Sequence, residues 1–227
     1  MTSNPSSSSP LPAGNSIPHR PPLSFGAVFC WLALQMLALA AAAFRVPFSA
    51  RFPALGEQLA MQEMLVVQMI GSALLFPALF RTLASAAIVI GATPLLMMMA
   101  GVLAAAEAET MLAICAYALL WMLGLAFWST VLRTERARMY GVATAAALVI
   151  GGATLAYVAR EFGPPGEAFD WAGHGYLGPL TGGVTLLETG VRTWSPWVFV
   201  CTFAISGLIA AATWHFVALQ RSRQFIH

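Results

Sequence analysis

Charge is what this chain has least of. Of its 227 residues, 9% are charged and 59% are hydrophobic, whereas a soluble domain carries ~25% charged residues. A water-soluble chain of this length would have more surface than so few charges can cover. The composition excludes a soluble globular protein, a disordered chain and a disulfide scaffold. It leaves an integral membrane protein, and with the chain's long apolar runs the expected fold class is all-α, a polytopic transmembrane helical bundle. Lysine is missing altogether, so all 11 cations are arginine, and nine acids oppose them to leave a net charge of +2. That balance excludes the basic footprint of a nucleic-acid partner. Arginine without lysine, together with abundant Ala, Gly and Pro, suggests a GC-rich bacterial genome and so a bacterial inner (plasma) membrane.

Cysteine is scarce as well. Cys30, Cys115 and Cys201 each lie in a different apolar run, with no CxxC and no metal-ligand spacing. They are read as small buried hydrophobes. Neither G-x-x-x-x-G-K-[ST] nor G-x-G-x-x-G after a strand occurs, so any use of ATP needs a separate subunit. Alternating strand patterns are missing too, which excludes a membrane barrel.

What the chain does have is a polar tail and six long apolar runs. Residues 1–22 are rich in Ser and Pro and are expected to be disordered; the membrane domain occupies 23–227. A span needs ~20 apolar residues to cross ~30 Å of hydrocarbon. The runs are 25–44, 58–80, 83–105, 110–132, 139–159 and 196–219, and charges fall almost entirely in the gaps. Backbone groups in lipid must satisfy one another, so each run is expected to be a helix. Arg20 and the small residues 38–43 also fit a signal peptide, but the first run has the length of a full span rather than the 7–15 residues of an h-region.

The arginines suggest the orientation. With the N-terminus inside, Arg20, Arg81, Arg133, Arg136, Arg138, Arg221 and Arg223 fall on the cytoplasmic side, and Arg45, Arg51, Arg160 and Arg192 on the other. The excess of arginine marks the inside, so both termini are expected to be cytoplasmic.

The second run is the most polar. At 100° per residue Gln58, Gln62, Gln68 and Ser72 share a stripe with Met61 and Met69. Polar side chains within a span face the bundle interior or a water-filled cavity. The stripe reads either as the lining of a translocation path or as interhelical hydrogen-bond glue, and Glu63 falls off it. Met97, Met98 and Met99 point in three directions on a helix, so they make no copper site by themselves and are read as packing. No pair of histidines faces across the bundle for haem. His215 is nine residues from Ser206, out of phase with it and over 13 Å along the axis by helix rise, so the two form no catalytic pair. With no convergent acid, base or metal ligands, the chain is expected to be neither an enzyme nor a holder of a cofactor. Arg133, Arg136 and Arg138 form a charge cluster that anchors the chain at lipid headgroups or docks a cytoplasmic partner.

The segment 160–195 is long for a connection between spans. Gly163-Pro164-Pro165-Gly166 breaks the preceding helix, and Phe169, Trp171, Tyr176 and Trp194 suit a membrane interface. Within it Leu180–Val191 is apolar but too short to span, as a re-entrant or interfacial helix would be. Gly178-Pro179 sets its start, Thr181 serves its first turn, Glu188 sits on it and Gly190 ends it. Such a hairpin, with Pro179, Thr181 and Glu188, is expected to cap the external end of a cavity.

Tyr176-Leu-Gly-Pro179-Leu-Thr181, the short helix, Trp194-Ser-Pro-Trp197 and a last span ending in Arg221-Ser-Arg223 resemble the C-terminal third of ABC-2-type permeases, the membrane subunits of ATP-binding-cassette exporters. The resemblance implies six spans, cytoplasmic termini, re-entrant helices between spans five and six, an oligomeric bundle in the lipid bilayer and an ATP-binding partner subunit. The chain departs from that family in its Ser/Pro N-terminus and in having only Arg81-Thr82 between spans two and three, where the family carries a coupling helix. The alternative is a non-transporting accessory or assembly subunit of a larger membrane complex.

Overall fold

The computed structural model describes residues 25–49, 59–162, 177–189 and 194–224. These are helical, with no strand among them. The order is α1 (Phe25–Ser49), α2 (Leu59–Leu79), α3 (Leu83–Leu103), α4 (Ala108–Val131), α5 (Glu135–Ala146), a π-helical turn (Ala147–Gly151), α6 (Gly152–Phe162), α7 (Pro179–Thr189) and α8 (Ser195–Gln224). Six helices are long and apolar enough to cross a membrane, with α5, the π turn and most of α6 making one of them. The chain is therefore a multi-pass membrane protein with a helical-bundle fold. The Ser/Pro tail, Gln58, Gly190 and most of the segment that opens with Gly163 lie outside the described residues.

The six runs read from hydropathy coincide with these helices to within five residues at either end, and the shift at the start of the fifth has a local cause. There the helix begins at Glu135 instead of Met139. Thr134 explains the difference: its hydroxyl caps the helix by accepting from the Ala137 amide at 3.2 Å. Glu135 then places a negative charge in the first turn, where the helix dipole favours it. Arg136 and Arg138 are thus wound into the helix, while Arg133 stays in the connection from α4, which shrinks to Leu132–Thr134.

The other tight connections have equally local causes. Thr82 and Ser85 form a reciprocal capping box at the start of α3, with Thr82 Oγ1 accepting from the Ser85 amide at 3.1 Å. Such a box satisfies two otherwise unpaired amides. At the other end of α3 the amide of Ala106 reaches the Gly101 carbonyl at 3.0 Å and that of Ala105 reaches Val102 at 3.2 Å. This is a Schellman ending, and it holds Ala105 at φ 49°, in the left-handed region.

The core lies between α2, α3 and α4 and is rich in Met and aromatic residues. Met61, Met64, Met69, Phe76, Met97, Tyr117, Trp121 and Met122 are buried. Met98 and Met99 are exposed, so the methionine triplet does point in different directions. On its other side α4 packs most extensively against α8. Gly124 permits that approach: a Cβ there would lie 2.5 Å from Phe203 Cδ1. The Phe203 ring stacks on Trp121 with centroids 4.7 Å apart.

Candidate functional site

Two places gather polar groups: the middle of α2 and the buried start of α7. Gln68 is fully buried and donates from Nε2 to Thr93 Oγ1 at 3.0 Å. Thr93 in turn donates to the Val89 carbonyl at 2.8 Å. Ser72, also fully buried, accepts from the Trp121 indole nitrogen at 2.9 Å and donates to the Met69 carbonyl at 3.1 Å. Two members of the polar stripe therefore tie α2 to α3 and to α4. Gln62, from the same stripe, is half-buried. In lipid the apolar effect supplies little helix–helix attraction, so hydrogen bonds of this kind help to decide which helices meet.

Three atoms of that region remain unpartnered although buried: both amide ends of Gln35 on α1, and Oε1 of Gln68. The indole nitrogen of Trp31, one turn before Gln35, is buried and unpartnered as well. Gln35 stands alone in an apolar run and belongs to no polar stripe. An amide in the middle of a span was the available signal.

The start of α7 is built from close approaches. Tyr117 Oη, fully buried on α4, donates to the Pro179 carbonyl at 2.8 Å. The Tyr117 ring meets Trp197 edge-on at 5.9 Å between centroids. Thr181 Oγ1 and the Gly182 amide both reach the Gly178 carbonyl, at 2.9 and 3.0 Å. Gly183 lies against the Leu65 side chain so closely that a Cβ would collide with it. Leu186 and Leu187 are buried and Glu188 is exposed. Tyr117 stands nine residues into α4, ~14 Å from that helix's start by its rise. The hairpin helix is thus inserted into the end of the bundle instead of lying across it.

The same insertion explains the π turn. Gly178 comes against the Leu148 carbonyl, and Leu177 against Gly152. A π bulge adds one residue to a helical turn, and the widened turn here is where the residues leading into α7 press against the helix.

The arginine cluster is used locally. Arg133 lies over the Trp214 ring at 5.5 Å and donates to the Thr130 carbonyl at 3.4 Å. Arg138 Nε donates to the Leu132 carbonyl at 3.0 Å, closing the α4–α5 turn. Arg136 is exposed. At the other end of the bundle Glu63 forms an ion pair with Arg45, a partnership that the spacing of the two did not suggest.

A side groove of about 370 Å³ is lined by Leu148, Val198, Phe199, Thr202, Phe203 and Ser206. Ser206 returns its hydroxyl proton to the Phe203 carbonyl at 2.8 Å, and His215 is exposed on α8. Among the described residues no three His, Cys, Asp or Glu side chains converge as metal ligands. Comparison with protein-family models, with curated proteins and with solved structures found no match in any of the three.

Proposed function

We propose that the chain works as a membrane subunit within a larger complex and meets its partner along its side. The observation that carries this reading is the open flank between the fifth and sixth spans. α5 packs on α2, and α8 packs on α4 and α7. Between the π turn and α8 lies the groove, with Thr202 and Ser206 one turn apart on its α8 wall. The fifth and sixth spans are 17% and 22% buried, against 56% for the second. Small and hydroxyl-bearing residues at four-residue spacing are the surfaces on which membrane helices associate. In the core, by contrast, Gln68 and Ser72 are engaged between helices.

The test is purification of the full chain from its native membrane in mild detergent. This reading expects a stoichiometric complex with a different membrane chain. Thr202→Trp should disrupt that complex while the separated chain keeps its helical circular dichroism and melting midpoint. Recovery as a lone chain or a homodimer with no other subunit overturns the reading.

A second reading, a permease-like subunit of an ABC-2-type exporter, is favoured by α7. A short helix dipping into the bundle between spans five and six is the layout that the sequence resemblance implies. The three-residue turns 80–82 and 132–134 weigh against it, because on the arginine-rich side they give an ATPase little to hold. Co-purification with a Walker-motif ATPase, and ATP-dependent export lost with it, would establish this reading over the first.

A further inference from the structure

We infer that Trp31, Gln35 and Gln68 form a buried site between α1 and α2 for a small uncharged molecule that both donates and accepts hydrogen bonds, water being the smallest of that class.

The first support is register. α1 and α2 are packed together, with the Arg45–Glu63 ion pair at one end of the contact. Trp31 Cδ1 lies 3.9 Å from where a Cβ on Gly71 would stand, so these two residues are level. From that level Gln35 lies four residues toward Arg45, ~6 Å by helix rise, and Gln68 lies three residues toward Glu63, ~4.5 Å. The two glutamines therefore sit at one depth, on facing helices. Gln68 is nine residues from the start of α2 and eleven from its end, which puts this level near the middle of the span. Thr93 joins it through Gln68. Pro94 follows Thr93 inside α3 and, lacking an N–H, cannot satisfy the Ile90 carbonyl.

The second support is the balance of unmet groups. Trp31 and Gln35 have no exposed surface, and neither does Gln68. Trp31 Nε1 and Gln35 Nε2 are donors without acceptors, and Gln35 Oε1 and Gln68 Oε1 are acceptors without donors. A buried polar group left unmade costs roughly 1–3 kcal/mol, and lipid offers no remedy. Four such groups on two adjoining helices, of both kinds, match a molecule with protons to give and lone pairs to receive them. Buried water typically makes about three hydrogen bonds to groups like these. The amides and indole carry no net charge, so they hold no counter-charge for an ion.

The experiment uses the full chain, labelled with nitrogen-15 tryptophan, in nanodiscs of deuterated lipid. Trp31→Phe identifies the Trp31 indole resonance. Trp121 is the internal control: its indole already donates to Ser72 Oγ, whose hydroxyl also reveals any signal relayed by exchange. The expected result is a cross-peak between the Trp31 indole proton and water that Trp121 lacks, and its loss in Gln35→Leu. If that variant fails to fold, Gln68→Met is expected to weaken the cross-peak in its place. A cross-peak that persists in D2O, to carbon-bound protons belonging to neither protein nor lipid, also supports the site and names a larger neutral occupant. The inference is overturned if the Trp31 indole shows cross-peaks only to protein protons, as a direct Gln35–Gln68 amide contact would give. A water cross-peak that neither glutamine substitution alters overturns it equally.

Discussion

At the scale of single residues, two positions carry measurable consequences. Ala105 holds a left-handed backbone that an L-residue with a Cβ adopts at a cost of roughly 1–2 kcal/mol. Glycine relieves that strain and gives back part of it as unfolded-chain entropy. Ala105→Gly is therefore expected to stabilise the protein by about 1 kcal/mol, read as a higher melting midpoint in detergent. Tyr117 is the converse case. Its hydroxyl satisfies the Pro179 carbonyl inside the bundle, and a buried acceptor stripped of its donor costs about 1–3 kcal/mol. Tyr117→Phe should destabilise by that amount and speed hydrogen exchange in 179–189, while exchange at the α3 capping box stays as it was. Unchanged exchange in α7 would show that the bond does not hold the helix in place. Neither residue stood out in the sequence. Ala105 looks like any alanine after an apolar run, and Tyr117 like any aromatic within one.

At the scale of elements, the spans were legible and their partners were not. Hydropathy summed over about twenty residues identifies a membrane helix, since the lipid acts on each segment separately. The short helix was legible too: the apolar stretch between Gly178-Pro179 and Gly190 suggested Leu180–Val191, and the helix runs over Pro179–Thr189. Its depth was not. That depth depends on Gly183 meeting Leu65 and on Gly178 meeting Leu148, contacts between residues far apart in the chain. Gly183→Val is expected to overpack this contact by roughly 1–3 kcal/mol. Leu65→Ala in the same chain should recover part of that loss, because the two side chains then share the space. Melting midpoints of the two single variants and the double variant check this, and strict additivity would contradict the contact. The π turn belongs to this scale as well. The fifth run reads as an ordinary apolar helix, and only the arrival of Gly178 and Leu177 gives its widened turn a reason.

At the scale of the whole molecule, six spans place the turns alternately at two ends. Phe80–Thr82 and Leu132–Thr134 share one end, and Ala104–Glu107 lies at the other. If the arginine excess marks the cytoplasm, a membrane-impermeant thiol reagent should label Glu107→Cys in intact cells and should label Arg136→Cys only after lysis, in a chain otherwise free of cysteine. Labelling of Arg136→Cys in intact cells would reverse the topology. The open flank beside α8 and the polar level around Gln35 also exist only at this scale, since each joins helices that are not neighbours along every face.

What the sequence determined by itself was the solvent and the segments that meet it. With so few charges the chain has to lie in lipid, and the apolar runs have to be helices because the backbone finds no other partner there. Which helix faces which was decided by tertiary packing. A lone Gln35, a Glu63 off the polar stripe and a Ser72 on it look alike in a list of span residues. Packing left the first without a partner, paired the second with Arg45 and gave the third an indole donor. Hydropathy is a property of one segment at a time, whereas a hydrogen bond between helices requires two segments to arrive at the same depth and the same face.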